Sequence, residues 1–416
     1  MAPLAFDSDA AARFRVARNR FMRILSVSNC PALEHLGSGY VIANFVKGLR
    51  ALGHEVDLLQ PDDYEVCQWL RPKGIGHRQS MGMLQAVSRS LRLKDYDLVE
   101  FWGAEAWLAT RWLVRRQKHR PMVVQHTNGP EPRYNQILRE LGILRLNRLQ
   151  AWNSERLLPQ AFAYADGIVT VSDSDRIWLS EHRLSPHAKL QAIEVPLADC
   201  FVERPIKARD TGVIGFSGTW LPKKGIEVLV SDMTDILRAF PGWRFVVLGT
   251  NPTDKVRSCF PLDIGSRVDV IPMIKAKEAL AQRYEQMEIF VLPSLIESFG
   301  VALAEAMACG CAAVTTRAGF GASLVNEKHA LILAKAQSPD LYRAVKRLIL
   351  DPQLRRQLGA AARERVQELR WDRAVQSLSH TYEQWLVEHR RAVEHPVELP
   401  FAPYSSSVGS SVVIKK

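Results

Sequence analysis

Paired cysteines are missing from this chain. Its six cysteines, Cys30, Cys67, Cys200, Cys259, Cys309 and Cys311, form no CxxC motif. That argues against a disulfide framework or a zinc site and fits a reducing compartment. The Cys-Gly-Cys at 309–311 reads as buried small residues after a helix. No apolar run approaches the roughly 20 residues needed to span a bilayer. The opening "MAPLAFDSDAAARFRVARNR" lacks the apolar core of a signal peptide. We therefore expect a soluble, cytoplasmic protein, attached at most peripherally to the inner face of a membrane. Internal repeats and the G-x-G-x-x-G dinucleotide fingerprint are also missing. So are interleaved RNA-binding aromatics, and no nucleic-acid partner is expected.

What is present is length, positive charge and alternation. The 416 residues, 47% of them hydrophobic, suffice for two domains. A net charge of +11 suggests anionic partners, and charge alone leaves phosphorylated substrates, acidic lipid and nucleic acid open. The runs "MRILSVS", "EVDLLQP", "DLVEFWG", "PMVVQHT" and "ADGIVTVS" read as strands separated by helix-length segments. After a Pro- and charge-rich stretch at 203–211 the alternation restarts with "VIGFSGTW", "RFVVLGT", "RVDVIPM", "EIFVLPS" and "AAVTT". This predicts an α/β protein of two Rossmann-like, doubly wound parallel-sheet domains facing a central cleft. Ligands in such folds bind at the carboxyl ends of the strands. We expect a flexible extension over 1–21, a first domain over 22–205 and a second over 206–372. A helix over 373–392 should return to the first domain, ahead of a disordered tail over 393–416.

The most informative stretch is "SLIESFGVALAEAMACG", residues 294–310. Glu297 falls on the turn between a strand and a helix, and Glu305 lies about one and a half turns into that helix. Ala302, Leu303, Ala304, Ala306 and Met307 surround Glu305, which argues against an incidental acid on a solvated face. The helix-start amides of Gly300 and Val301 offer an anion site. On the side facing the cleft, Glu305 is suited to grip a vicinal diol such as a ribose. In "VIGFSGTWLPKKGIEVLV", a turn containing Gly218 leads to Lys224-Gly225 at a helix start. Lys224 is a point charge for a phosphate oxygen there, or else an ordinary loop lysine.

These residues resemble the signature of retaining glycosyltransferase family four, whose GT-B fold consists of two Rossmann-like domains. The resemblance rests on two glutamates with seven residues between them, after a strand ending in Pro-Ser and inside a small-residue helix ending in Gly. It implies that Glu297, with the backbone of Ser298, Phe299, Gly300 and Val301, holds the transferred sugar and phosphate. Glu305 would bind the nucleotide ribose, and Lys224 the diphosphate. Thr219 stands where many members have an arginine, so that role does not carry over and Lys223 is the nearest substitute. Met273 and Ile274 resemble the segment that cups the base. Gly37 and Gly39 resemble the glycine loop facing donor phosphate and acceptor. His126 matches a histidine near the transferred sugar, with Asn128 beside it. Glu100 and Trp102 are candidates either for the acceptor pocket or for packing.

The implied activity is retaining transfer of a hexose-type sugar from a nucleotide-diphosphate donor to an acceptor hydroxyl. Neither a cofactor nor a metal is expected, and a sugar or lipid-linked acceptor in polysaccharide or glycolipid assembly fits by analogy. The Asp95/Asp97 and Asp173/Asp175 pairs read as structural rather than as manganese ligands. Within 66–94, Arg71, Lys73, Arg78, Arg89, Arg92 and Lys94 occur without an acid. They offer a surface for anionic lipid or a phosphorylated acceptor, or simply a solvated basic helix. Two rivals are a nucleotide-sugar epimerase of the same fold and a non-catalytic protein that binds anionic surfaces.

Overall fold

The computed structural model describes residues 21–394 apart from 34–36, 68, 70–74, 117–119, 206–208 and 210. Residues 1–20 and 395–416 of the expected extension and tail, together with Arg71 and Lys73, lie outside the described residues.

The first domain is built on β1 (Arg23–Ser28), β2 (Glu55–Leu59), β3 (Leu98–Trp102), β4 (Met122–Thr127), β5 (Gly167–Thr170) and β6 (Lys189–Ala192). The second uses β7 (Val213–Ser217), β8 (Arg244–Leu248), β9 (Val268–Ile271), β10 (Ile289–Leu292), β11 (Ala312–Thr316) and β12 (Leu331–Leu333). Each set forms one six-stranded sheet, in the orders β2-β1-β3-β4-β5-β6 and β12-β11-β10-β7-β8-β9. All strand pairs within them are parallel. Helices cover both faces, so β3, β4 and β10 are buried along their whole length. The chain order reverses between β1 and β3 in one sheet and between β7 and β10 in the other. A crevice opens at the carboxyl ends of the strands at such a point. Among the described residues, no helix is long and apolar enough to cross a membrane.

The helix Trp371–Glu394 leaves the second domain and packs on the first. Trp371 donates to the Tyr40 hydroxyl at 3.0 Å and meets the Phe45 ring edge-on. Ser379 contacts His54 at 2.8 Å, and Trp385 fills the space over Gly167 that a Cβ would occupy. Tyr382 reaches furthest into the sheet. Its hydroxyl donates to Glu100 on β3 and lies 2.5 Å from His126 Nε2 on β4.

This contact favours the packing alternative for Glu100 and Trp102 and places His126 beside them. Glu100, Trp102 and His126 are 0%, 3% and 2% exposed, and they form one buried polar cluster rather than lining a pocket. The Trp102 indole stacks on the His126 ring with centroids 3.9 Å apart and donates to Ser26 at 3.2 Å. Burial pushes the Glu100 carboxyl up, but hydrogen bonds and charge from His126, Ser26 and Tyr382 outweigh it and hold it below the usual range. A buried carboxylate is tolerated only when paired in this way. Removing the Tyr382 hydroxyl leaves that carboxylate short of a donor. Tyr382→Phe should therefore lower the unfolding free energy by about 1–3 kcal/mol in denaturant titration. An unchanged midpoint would show that the cluster is not a fastening point.

Candidate active site

The loops after β7 and β10 meet at the reversal point of the second sheet. After β10, Pro293-Ser294 turns the chain, and the Leu295 amide donates to the Lys223 carbonyl at 2.8 Å. Gly225 adopts φ +71°, and a Cβ there would stand 2.1 Å from the Pro293 carbonyl oxygen. Only glycine permits this approach, which explains why the lysine is followed by one. The approach brings Lys224 Nζ within 2.5 Å of Glu297 Oε1, which also accepts from Ser294 Oγ at 2.7 Å. The two side chains are only 15% and 10% exposed. Gly218 lies against the Lys224 side chain, where a Cβ would be in van der Waals contact 3.9 Å from Nζ. An ammonium has three hydrogens, so Lys224 can hold Glu297 and still donate to an anion.

Gly300 caps the helix Val301–Ala308 with φ +91°; its carbonyl accepts from the Leu303 amide at 2.9 Å, so the amides left to face a ligand are those that open the helix at Val301 and Ala302. Phe299 contributes backbone only, because its ring is 3% exposed and packs on Phe320 at 5.1 Å. Glu305 does not stand open to the cleft as expected. It is 4% exposed, with Oε1 accepting from Lys277 Nζ at 2.8 Å and Oε2 from the Tyr284 hydroxyl at 3.3 Å. Its apolar neighbours submerge it, and a submerged carboxylate requires partners. Lys277 was missed in the sequence, where nothing marks it out. Its amine sits 4.9 Å from the centroid of Tyr40, the residue after Gly39. Gly37 and Gly39 therefore open a helix whose first turn abuts the Lys277–Glu305 pair. A Cβ on Gly39 would collide with the Pro31 carbonyl at 2.4 Å, whereas Gly37 has open space. Met273, 49% exposed, and the half-buried Ile274 follow β9 at the edge of the second sheet.

The first domain touches this centre through the loop after β4. Gly129 packs against Ser298 Oγ and Tyr134, and the Tyr134 hydroxyl donates to the Glu297 carbonyl. Asn128 is half-buried at the tip of the same loop. Beside it lies an acidic group that sequence reading overlooked. The Ala104 amide donates to Glu131 Oε1 at 3.2 Å, and Asn29 donates to Glu105 Oε2 at 3.0 Å. Asp175 is fully buried and paired with Arg133 at 2.6 Å. Gln125 Oε1, Thr127 Oγ1, Glu131 Oε2 and Asp175 Oδ2 are all buried there without a hydrogen-bond partner. Such a concentration of unmatched oxygens suits a ligand rich in hydroxyl donors. The sequence signal was present in "NGPEP" and "GAEA", where acids follow strand-end glycines.

Asp97 accepts from the Arg23 amide and pairs with Arg390 at 2.5 Å, while Asp173 pairs with Arg176 at 2.6 Å. Among the described residues, no cluster of His, Cys, Asp and Glu is arranged to hold a metal. The basic stretch 66–94 is not a continuous charged surface. Arg78 is buried against Glu65, and Lys94 is tied to Glu55 and to Asp57 at 2.7 Å. Arg89 and Arg92 remain at the surface, beside Trp112 in an open groove of about 360 Å³.

Comparison with known proteins gives a consistent result. A family described as glycosyl transferases group 1 matches residues 202–365, and one described as glycosyltransferase family 4 matches 37–194. A D-inositol 3-phosphate glycosyltransferase from Saccharomonospora viridis is 26% identical over 322 residues, covering 71% of this chain and 72% of its own. Other curated relatives are matched over 39% to 91% of their length. Sucrose-phosphate synthase from Thermosynechococcus elongatus superposes with a TM-score of 0.69 at 19% identity, over 88% of this chain and all of its own. Anabaena HepE in complex with UDP gives 0.63 at 14% identity, over 87% of this chain and all of its own. The shared architecture is GT-B.

Burial first, and then the neighbouring Glu105 charge, push the Glu131 carboxyl up to about 8 from its ordinary 4.5. Between those values the folded chain carries a proton that the unfolded chain has lost. This contribution to stability is present below the lower value and is lost as pH rises through the higher one. Glu131→Gln cannot titrate. Its thermal midpoint relative to wild type should rise from about pH 5 to about pH 8. A constant difference would show that Glu131 titrates normally.

Proposed function

Because the chain belongs to the glycosyl transferases of group 1 and family 4, we propose that it moves a sugar with retention of anomeric configuration. The donor is a nucleotide-diphosphate sugar, and the acceptor is a hydroxyl of a sugar or of a lipid-linked glycan. The observation that carries this reading is the Lys224–Glu297 contact beside the helix start at Gly300 and Val301. The amides and the ammonium receive the diphosphate, and Glu297 orients hydroxyls of the transferred sugar. The diphosphate–sugar bond breaks as the acceptor oxygen bonds to the same face, and the acceptor proton passes to the departing phosphate. Lys224 supplies the charge that grows in importance as that phosphate leaves, so no metal is required. Fixed charges aimed at developing charge are the largest single source of catalysis in many enzymes.

The ribose belongs near Glu305. Lys277 must share or release that carboxylate when a diol arrives, and it remains close enough to follow the nucleotide. UDP in the Anabaena protein supports a nucleoside diphosphate as the leaving group of the donor. The acceptor lies near Glu105 and Glu131, where Glu131 Oε2 has no hydrogen-bond partner. Polysaccharide or glycolipid assembly is the setting these features fit.

Lys224→Ala should lower turnover by about 10²–10³ at saturating donor, equivalent to roughly 3–4 kcal/mol of transition-state stabilisation. Lys223→Ala should change it far less, and a chelator should leave wild-type transfer intact. Near wild-type turnover in Lys224→Ala, or a strict need for a divalent ion, would refute the phosphate assignment.

A further inference from the structure

The helix Arg148–Trp152 contains no buried residue, and in the helix Glu131–Glu140 no residue is buried as a whole, the inward contacts being those of Glu131 and Tyr134 in its first turn. A domain helix normally turns an apolar stripe to the core, so this is unusual. The segment is nevertheless apolar. Leu141, Ile143, Leu149 and Trp152 are 45%, 36%, 66% and 52% exposed. Exposed apolar side chains grouped in this way mark an interaction surface. The run "LGILRLNRLQAWNS", residues 141–154, contains Arg145 and Arg148 and no acid. The flanking Glu155 is neutralised by Arg139.

We propose that this projection, with Leu141, Ile143, Leu149 and Trp152 inserted and Arg145 and Arg148 against headgroups, docks the protein on an anionic lipid surface. Tryptophan carries a large apolar body and a polar N–H, which suits it to the headgroup boundary. Arginines beside an apolar face add attraction to acidic lipid. A second copy of the chain is the poorer occupant. A two-fold interface sets the same patch against itself, and arginines would face arginines with no acid between them. The helix Ile75–Leu93 is poorer too, because Arg78 and Lys94 are neutralised and Met83 and Val87 are buried in the core.

The location has a consequence for the cleft. Tyr134, which touches the Glu297 carbonyl, precedes Leu141 by seven residues, or roughly 10 Å of helix. A docked membrane would therefore lie alongside the site. Docking is separate from the transfer chemistry and can fail without affecting it.

Sedimentation of the full chain with vesicles tests the proposal, using equal parts phosphatidylglycerol and phosphatidylcholine, or phosphatidylcholine alone. Wild type should bind the anionic vesicles, and binding should weaken as salt rises. The pair Leu149→Ser with Trp152→Ala, and the pair Arg145→Gln with Arg148→Gln, should each weaken binding by at least about tenfold. All four positions are exposed, so thermal midpoints and nucleoside diphosphate binding should stay unchanged. Arg89→Gln with Arg92→Gln should leave vesicle binding intact. Three outcomes would overturn the proposal. They are no binding of wild type at low salt, loss of binding only in the Arg89/Arg92 variant, and a dimer in light scattering that Trp152→Ala dissolves.

Discussion

The contact between Lys224 and Glu297 is where the two loops of the candidate site are joined. Each side chain comes from a loop after a strand, and those strands, β7 and β10, are neighbours where the sheet order reverses. Neither loop can shift without breaking the Lys223–Leu295 backbone bond or driving Gly225 into Pro293. The ammonium and the carboxylate are mostly shielded from water, so their attraction is stronger than that of an exposed pair. When an anion enters, Lys224 need only redistribute its hydrogens.

The first domain contributes to this centre through fastenings that sequence spacing conceals. Tyr134 binds the Glu297 carbonyl across 163 residues, and Tyr382 binds His126 across 256. The return helix thus ties the strand ends of the first sheet to the end of the second domain. Its partners Glu100 and His126 serve as anchorage. Gln125, Thr127, Glu131 and Asp175, each with a buried oxygen that has no partner, lie on or just after the neighbouring strands β4 and β5. Paired and unpaired buried polar groups are therefore neighbours on the same strands.

Much of this was legible in the sequence. Parallel strands covered on both faces appear as apolar runs, so five strands of each sheet could be read from alternation, while the edge strands β6, only half-buried, and β12, three residues long, were missed. Lys224, Glu297 and Gly300 were legible because each sits in a local pattern of strand end, turn and helix start. What failed was non-local. The apolar neighbours of Glu305 correctly signalled an unusual acid, but its partner Lys277 lies 28 residues away in an unremarkable helix. The window 66–94 appeared free of acids, yet Arg78 is paired with Glu65, one residue outside it. Lys94 finds its acids on β2, which pairs in parallel with β1 and cannot be located by composition. His126 marked the right strand end, although its ring turns toward Tyr382 and not toward open space.

A double-mutant cycle on turnover tests the central contact most directly. If Lys224 and Glu297 act as one unit, Lys224→Ala and Glu297→Gln will each be severely slowed, and the double variant will fall within about threefold of the slower single variant. Losses that multiply in the double variant would mean that the two residues act independently, and the account of the site as one charge-paired unit would be wrong.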